Sequence, residues 1–487
     1  MLNVGNIIKI IQNQLGIDCY KFDTSFYSSY IEVMKQWYKG YVPSFHRYKV
    51  WNGDTNVYLE KASLKMAKRV CEDHSSLVWN ENLSISSPDE DVKKFLLGYD
   101  EMTGILAKND FWSQGGKLYE LTCALGTGAF ELVVTNMLSF GGKIAFNENT
   151  KINIVRHRAE NIIPLTWNNN GDIIEVAFAD QYRIKNDEYI DLRMHVIRDG
   201  VYHIINKKLR VINNVISLVD TESVAGDFNT GSSIPWFSIL KLPIINNFDI
   251  GTPLGASIYA NSLDVLRIVD DAFSLLQSEM RHGGKKLFYG RELCDRDMKT
   301  GKVITPSDEM GRSVFYMTGN QTTVNNNSSV KDMIYEFNPT LRINDISQAI
   351  ENSLNYLSQS CGLGNNYYKF DNGVVKTATE VISQNSSMWR NIRKNELAVE
   401  KMLHGLFTAL FYVNNMAGGT KINIDAPVTV EFDTSILEDK TAVRDRELKE
   451  VELGILPKQV YLEKYYSTGR LDTKPVDDEQ LNNNENT

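Results

Sequence analysis

Apolar positions recur along the chain with two different periods. Over residues 3–15 and 24–38 they fall every three or four residues, the spacing of a helix with one buried face, and Asp23 or Thr24 can cap the second. Beyond an Asn52-Gly53 turn, Leu59, Leu64, Met66, Val70, Leu77 and Val78 predict one long amphipathic helix ended by Ser86-Ser87-Pro88. Two more helices are predicted over about 91–107 and 110–126. The period then drops to two. Residues 152–158, 173–182, 189–198 and 201–207 are β-rich runs separated by the 168–172 Asn/Gly/Asp cluster, Asn186-Asp187 and Asp199-Gly200, which predicts antiparallel hairpins. Asp-Gly readily takes the two positive φ values of a tight hairpin turn.

The helical period returns at Thr252. Pro253 suits a first turn, and Leu254, Ile258, Leu266, Val269, Phe273, Leu276 and Met280 form one stripe that Gly283-Gly284 stops. An insert over 285–339 reads strand, loop, strand, with candidate strands at 314–317 and 333–337 around Asn325-Asn326-Asn327-Ser328-Ser329. A helix over 343–360 follows, with Ile343, Ile346, Ile350, Leu354 and Leu357 as its packing seam. Its other side carries Asn344, Gln348, Asn352, Asn355 and Gln359, polar yet uncharged. That face admits two readings: an amide-rich solvent face, or a surface that lets a charged body pass without holding it. A glycine-punctuated loop over 361–376 precedes a long helix from about Thr377 to Asn414, a charged helix over 436–453 and a short one over 457–466.

Composition narrows the function classes. The 487 residues are 42% hydrophobic and 23% charged, enough for ordinary cores, and at about 150 residues per domain the length suggests three. Lys and Arg total 52 against 61 Asp and Glu, a net charge of -9 that argues against coating a duplex through a broad basic face. Five scattered cysteines, Cys19, Cys71, Cys123, Cys294 and Cys361, and an N-terminus without a small-residue cleavage site predict a reducing, cytoplasmic assembly compartment. The apolar stretch over 402–419 contains His404, Asn414 and Asn415 and falls short of about 20 apolar residues, so a buried helix is expected and no membrane span.

Catalytic patterns are sparse. There is no G-x-x-x-x-G-K-[ST], HExxH, G-x-S-x-G or EF-hand spacing, and Gly126-Thr127-Gly128 reads as a structural turn. Cys71-Glu72-Asp73-His74 points in different directions from one helix and reads as a plain helix face. Asp270, Asp271 and Glu279 could serve a metal-dependent nucleic-acid enzyme, but read as the exposed side of their helix. No catalytic, cofactor-binding or metal residues are assigned.

The order of parts, two long helices flanking a small strand-containing insert, then a glycine-rich loop and another long helix, resembles the portal proteins of tailed bacteriophages, in the branch of Gram-positive siphophages and myophages. GTPLGASIYANSLDVLRIVDDAF (from Gly251), KTATEVISQNSSMWRNIRKNE (from Lys376) and KMAKRVCEDHSSLVWNE (from Lys65) carry the resemblance. It implies an α+β fold: a helical and antiparallel-β wing over 1–250 and again over 377–433, stem helices over 251–282 and 343–360, a small α/β clip over 283–342, a tunnel loop over 361–376 and a helical crown over 434–487. The resemblance further implies a ring, normally of twelve subunits, at the capsid vertex, through which double-stranded DNA is packaged and ejected. Terminase, a head-completion adaptor, and major capsid and scaffold proteins would be partners, in the virion and, during assembly, in the host cytoplasm. Another head-tail connector is the alternative within structural proteins. By position, Asp264, Asp271, Asn344, Gln348, Asn352 and Asn355 would line the channel, and Lys369, Lys376, Asn365 and Asn366 of the loop would approach DNA. Lys369 can equally be a plain solvated lysine.

Overall fold

Helical spacing at the N-terminus yields α1 (Val4–Asn13), which buries Ile7, Ile10 and Ile11, and a π-helical turn (Tyr27–Ile31) continuing into α2 (Glu32–Lys39). The computed structural model describes residues 4–51, 53–80, 83–99, 103–140, 143–145, 147, 149–213, 215–219, 227–290, 297–301, 314–317, 334–368, 378–432, 440–454 and 461. It divides into two compact units, Met1–Gly373 with Ser387–Phe432, and Val374–Ser386 with Asp433–Thr487.

In the first unit, β1 (Arg47–Trp51) pairs with β2 (Asn56–Glu60), and α3 (Met66–Val78) follows. The helix predicted through Leu59 and Leu64 is thereby corrected. Val57 and Leu59 obey the period of two set by Tyr48 and Val50 across the hairpin, and Lys65 in the left-handed region (φ 56°) separates strand from helix. The helix predicted over 91–107 is also broken, into Glu90–Leu96 and Ile105–Lys108, because Gly98 takes φ 92° between them. α4 (Phe111–Leu125) ends at Gly126 (φ 89°), where β3 (Thr127–Thr135) begins.

The strands β4 (Lys151–Arg158), β5 (Ile162–Trp167), β6 (Ile173–Ile184), β7 (Asp187–Arg198), β8 (Val201–Ile212), β9 (Val215–Val219) and β10 (Phe237–Lys241) form two sheets. One has the antiparallel order β9-β8-β7-β6-β5; the other is β10-β3-β4. Asp199 (φ 52°) and Gly200 (φ 77°) turn β7 into β8, as their pairing predicts. The sheets are joined by a buried ionic network. Glu131 on β3 accepts hydrogen bonds from His157 Nε2 (2.8 Å) on β4, and from His195 Nε2 (2.9 Å) and Arg193 Nε (2.9 Å) on β7. Arg193 also donates to Asp180 on β6 (2.5 Å). Burial alone would raise the Glu131 carboxyl, but its imidazole and guanidinium partners hold it well below the usual carboxylate range.

The predicted helix from Pro253 is shorter than its apolar stripe. Residues 253–259 are irregular, a 3₁₀ turn covers Ala260–Ser262, and α5 spans Leu263–His282. Two glycines explain the delay. A Cβ on Gly255 would stand 2.3 Å from the Gly126 carbonyl oxygen, and one on Gly126 equally close to that of Gly255, so two backbones touch where the helix would have started.

Among the described residues the insert holds three strands: β11 (Lys286–Gly290), β12 (Val314–Met317) and β13 (Ile334–Phe337). Both predicted strands flank the central, unpredicted β11, β12 parallel to it and β13 antiparallel. Residues 325–329 lie outside the described residues. α6 (Ile343–Ser360) has the predicted bounds, and α7 (Ala378–Met416) is the long helix that follows. Leu403, Leu406, Phe407, Leu410 and Phe411 are buried, and no helix among the described residues is long and apolar enough to cross a membrane. In the second unit α8 (Lys440–Glu452) is followed by Tyr461, whose hydroxyl meets Arg444 Nε at 3.4 Å; the rest of 457–466 lies outside the described residues.

Candidate functional site

α5 and α6 pair antiparallel. At one end Arg342 donates to Glu279 from its backbone N–H (3.2 Å) and from Nη2 (2.9 Å), and at the other Ser262 Oγ donates to Ser360 Oγ (2.8 Å). Hydrogen bonds from Arg342 hold the Glu279 carboxyl below its ordinary value. Ile346, Ile350, Leu354 and Leu357 are buried in the seam, while Ser353 and Ser358 satisfy their hydroxyls on carbonyls one turn back (both 2.8 Å). Asn344, Gln348 and Asn352 remain exposed on the opposite face.

Asn355, at the end of that amide stripe, has a different task. Its Oδ1 accepts the Asn366 backbone N–H (2.6 Å), and Gln359 donates from Nε2 to Asn365 Oδ1, so the predicted helix residue and the predicted loop residues hold one another. Asn366 takes φ 61°, a left-handed conformation that asparagine tolerates. The loop root is pinned from α3 as well. His74 Nε2 donates to the Cys361 carbonyl (2.9 Å), and Tyr368 donates its hydroxyl to Asp73 Oδ2 (2.8 Å), which Arg69 Nε also meets (3.1 Å). Burial pushes the His74 imidazole down to about 4, leaving it neutral, and raises the Asp73 carboxyl against the opposing pull of Tyr368 and Arg69. Cys71, Asp73 and His74 are buried: three of the tetrad's four side chains face the core or the loop root. Lys369 and Lys376 lie outside the described residues.

The three carboxylates weighed for metal chemistry are already partnered. Asp270 is buried, contrary to the exposed helix side expected for it, because the chain leaving β2 lies over it. His46 Nε2 (3.0 Å), Ser63 Oγ (3.0 Å) and the Leu64 N–H (2.8 Å) all donate to it. The Val42 N–H donates to His46 Nδ1 (2.8 Å), which fixes the His46 proton on Nε2. Asp271 pairs with Lys61 (2.7 Å), Glu279 with Arg342, and Asp264 with Arg267 (2.9 Å). Among the described residues, no group of three or more His, Cys, Asp or Glu side chains is arranged to hold a metal ion.

Sequence reasoning missed the anchors His46, His74, Asp73 and Tyr368. Their contacts span 224 to 295 residues, and the available signal was a polar residue repeatedly falling on an otherwise apolar helix face.

An antiparallel helix pair, a small sheet inserted between its helices, and a pinned loop followed by a long helix make a mixed helical and antiparallel-sheet fold. Residues 23–470 match the family described as phage portal protein, SPP1 Gp6-like, and the chain belongs to that family. Among solved structures it is similar to chains from the neck of a native GTA particle computed with C12 symmetry, at 9% identity and TM-score 0.40, covering 82% of this chain and 88% of that one. It is also similar to a chain from the neck of an empty GTA particle computed with C6 symmetry, at 10% identity and TM-score 0.40, covering 80% and 90%. No curated protein matches.

Proposed function

We propose that the chain is one subunit of a ring, twelve-membered by family resemblance, that conducts double-stranded DNA through the capsid vertex, with the exposed amide face of α6 turned to the channel. The observation that carries this reading is that Asn344, Gln348 and Asn352 stand exposed on a long helix with no Lys or Arg along its whole length. Each cation placed against DNA neutralises a phosphate and adds affinity, hence drag, whereas a neutral amide hydrogen-bonds water and phosphate alike and holds neither. Asp264 and Asp271 are proposed to stand beside this face, their charges locally balanced by Arg267 and Lys61. Residues 361–376 would form the tunnel loop, with Asn365 and Asn366 at its root and Lys369 and Lys376 reaching the DNA. The insert over 283–342 is proposed as the clip that meets terminase and then a head-completion adaptor, and the segment after 434 as the crown. Capsid and scaffold proteins would surround the ring.

The reading as a metal-dependent nucleic-acid enzyme loses support because Asp270, Asp271 and Glu279 each already hold a cation or a set of donors. The amide face is tested by Gln348→Lys with Asn352→Lys. Rings are expected to assemble normally while packaged DNA length falls and free rings bind duplex with a new salt dependence. Unchanged packaging with both substitutions would remove this face from the channel.

A further inference from the structure

We propose that the outer edge of β9 is a self-pairing strand: two copies of this chain join through it, antiparallel about a two-fold axis at Ser217, so that one sheet runs across both. The inference goes beyond the ring reading and does not depend on it. β9 is the last strand of its sheet, hydrogen-bonded to β8 on one side and, among the described residues, with no strand on the other. Its sequence is Val-Ile-Ser-Leu-Val, without charge, proline or bulge, and Val215 and Ser217 are exposed. Native sheets blunt a free edge with lysine, proline or an irregular register, because an open apolar ladder is a template for any strand it meets. The opposite edge of the same sheet is blunted in that way. β5 contains Pro164, its register with β6 shifts between Pro164 and Trp167, and its Leu165 carbonyl already accepts the Tyr20 N–H (2.7 Å). The contrast marks β9 as the edge left for pairing.

The ladder and the sequence together say what fits it. Ile212 and Val215 close a two-residue turn in which Asn213 takes φ 49°, so Ile212, Arg210 and Lys208 exchange hydrogen bonds with Val215, Ser217 and Val219. Ile216 and Leu218 therefore carry their N–H and C=O groups on the outer edge. Outward from Ser217, β9 has the same order in both directions, a branched aliphatic residue and then Val. Laid antiparallel to itself, it sets Ile216 opposite Leu218 of the partner subunit, so the outward-facing residues of both copies fall into hydrogen-bonded register. Val215 then faces Val219 of the partner subunit on one face of the sheet, and Ser217 meets its own equivalent at the axis. No like charges are brought together. Lys208 and Arg210 on β8 stand three strand spacings from their equivalents, about 14 Å, beyond a Debye length of about 8–10 Å. Both are also engaged, Arg210 with Asp187 (2.9 Å) and Lys208 over the Tyr182 and Tyr189 rings (5.3 and 5.0 Å). A five-residue strand is about 17 Å long, so the contact lies at the small, weak end of protein interfaces and forms as concentration rises. It uses one patch on both copies and closes at two, unlike the head-to-tail contacts of a ring.

The test is a concentration series of the full chain, read by sedimentation and by non-reducing gels after oxidation. Wild type is expected to show a reversible species of twice 55.4 kDa, about 111 kDa. Ile216→Pro removes an N–H that faces outward, a change an edge strand tolerates, so circular dichroism and melting should match wild type. Dimer affinity should fall about thirtyfold or more, for two lost ladder bonds. Ser217→Cys is expected to cross-link two chains, since a non-hydrogen-bonded pair has Cα atoms about 4.5 Å apart, within disulfide reach. Val215→Cys, off the axis, should not cross-link above the wild-type control. These two variants read the register whether or not Ile216→Pro folds. Equal cross-linking by both, or an unchanged dimer in folded Ile216→Pro, would overturn the pairing, as would a wild-type chain with no dimer at any concentration. A Ser217→Cys cross-link formed only to capsid or scaffold protein would overturn the second copy as occupant and give the edge to that protein. Each of these failures leaves the ring reading standing.

Discussion

Replacing Glu131 with glutamine separates charge pairing from shape in the buried network that joins the two sheets. Glutamine keeps the volume but removes the anion that His157, His195 and Arg193 converge on. Arg193 retains Asp180 (2.5 Å) and His157 stands 3.3 Å from the same carboxylate, so the loss is partial, yet the buried imidazole of His195 is left facing an amide. Breaking a buried ion pair by removing one partner costs about 3–5 kcal/mol. At about 2 °C per kcal/mol, the lower end for large cooperative units, the melting transition should fall by roughly 6–10 °C. The pH dependence has a definite sign. Glu131 and Asp180 are held below their ordinary values, so their contribution is complete above the unfolded carboxylate pKa and is lost as pH falls through the folded values. His157 moves the other way: burial opposes its charge, but Asp180 and Glu131 raise its pKa, so its contribution is complete below the ordinary imidazole pKa and is lost as pH rises through the folded value. Scanning calorimetry of wild type and Glu131→Gln from pH 5 to pH 9 stays above the carboxylate limb and measures the imidazole limb. The wild-type advantage should be greatest at the acid end of that range and shrink toward pH 9. A variant that melts with wild type throughout would refute the claim that Glu131 pairs charge across the sheets.

Asp270→Asn should destabilise the first unit by about 1–3 kcal/mol, because asparagine keeps only one acceptor oxygen, so either the Leu64 N–H, which uses Oδ1, or the His46 Nε2–H, which uses Oδ2, is left facing an NH2 donor; unchanged denaturant midpoints would contradict its burial beneath the chain leaving β2. Tyr368→Phe removes one hydrogen bond to Asp73, worth about 1 kcal/mol, and should speed amide exchange over 361–368 with little change in global melting. Exchange that does not change would mean the loop root is held without that bond.

Much of the fold was legible because local chemistry and tertiary structure agree. Asp199-Gly200 turns where an Asp-Gly pair should, and α6 keeps the bounds its isoleucine and leucine spacing sets. Errors arose where a long-range contact decided a local question. Pro253 and Leu254 carry a helical signal, but the backbone of Gly126, over a hundred residues earlier, occupies the space a helix would need. Leu59 fits either period and joined a strand because Tyr48 lies opposite it. At the candidate site, the amide face of α6 was readable as a pattern, whereas Asn355 and Asn366 looked like separate features until the fold brought them within 2.6 Å. The burial of Asp270 was illegible for the same reason, since its three donors come from residues 46–64.

The central claim is that these subunits close around a channel. Light-scattering mass after size exclusion, with negative-stain images of the same peak, tests it most directly. Twelve copies of 55.4 kDa predict a species of about 665 kDa with annular views and a central hole. A 55.4 kDa species that stays monomeric even when co-expressed with capsid and scaffold proteins would contradict it.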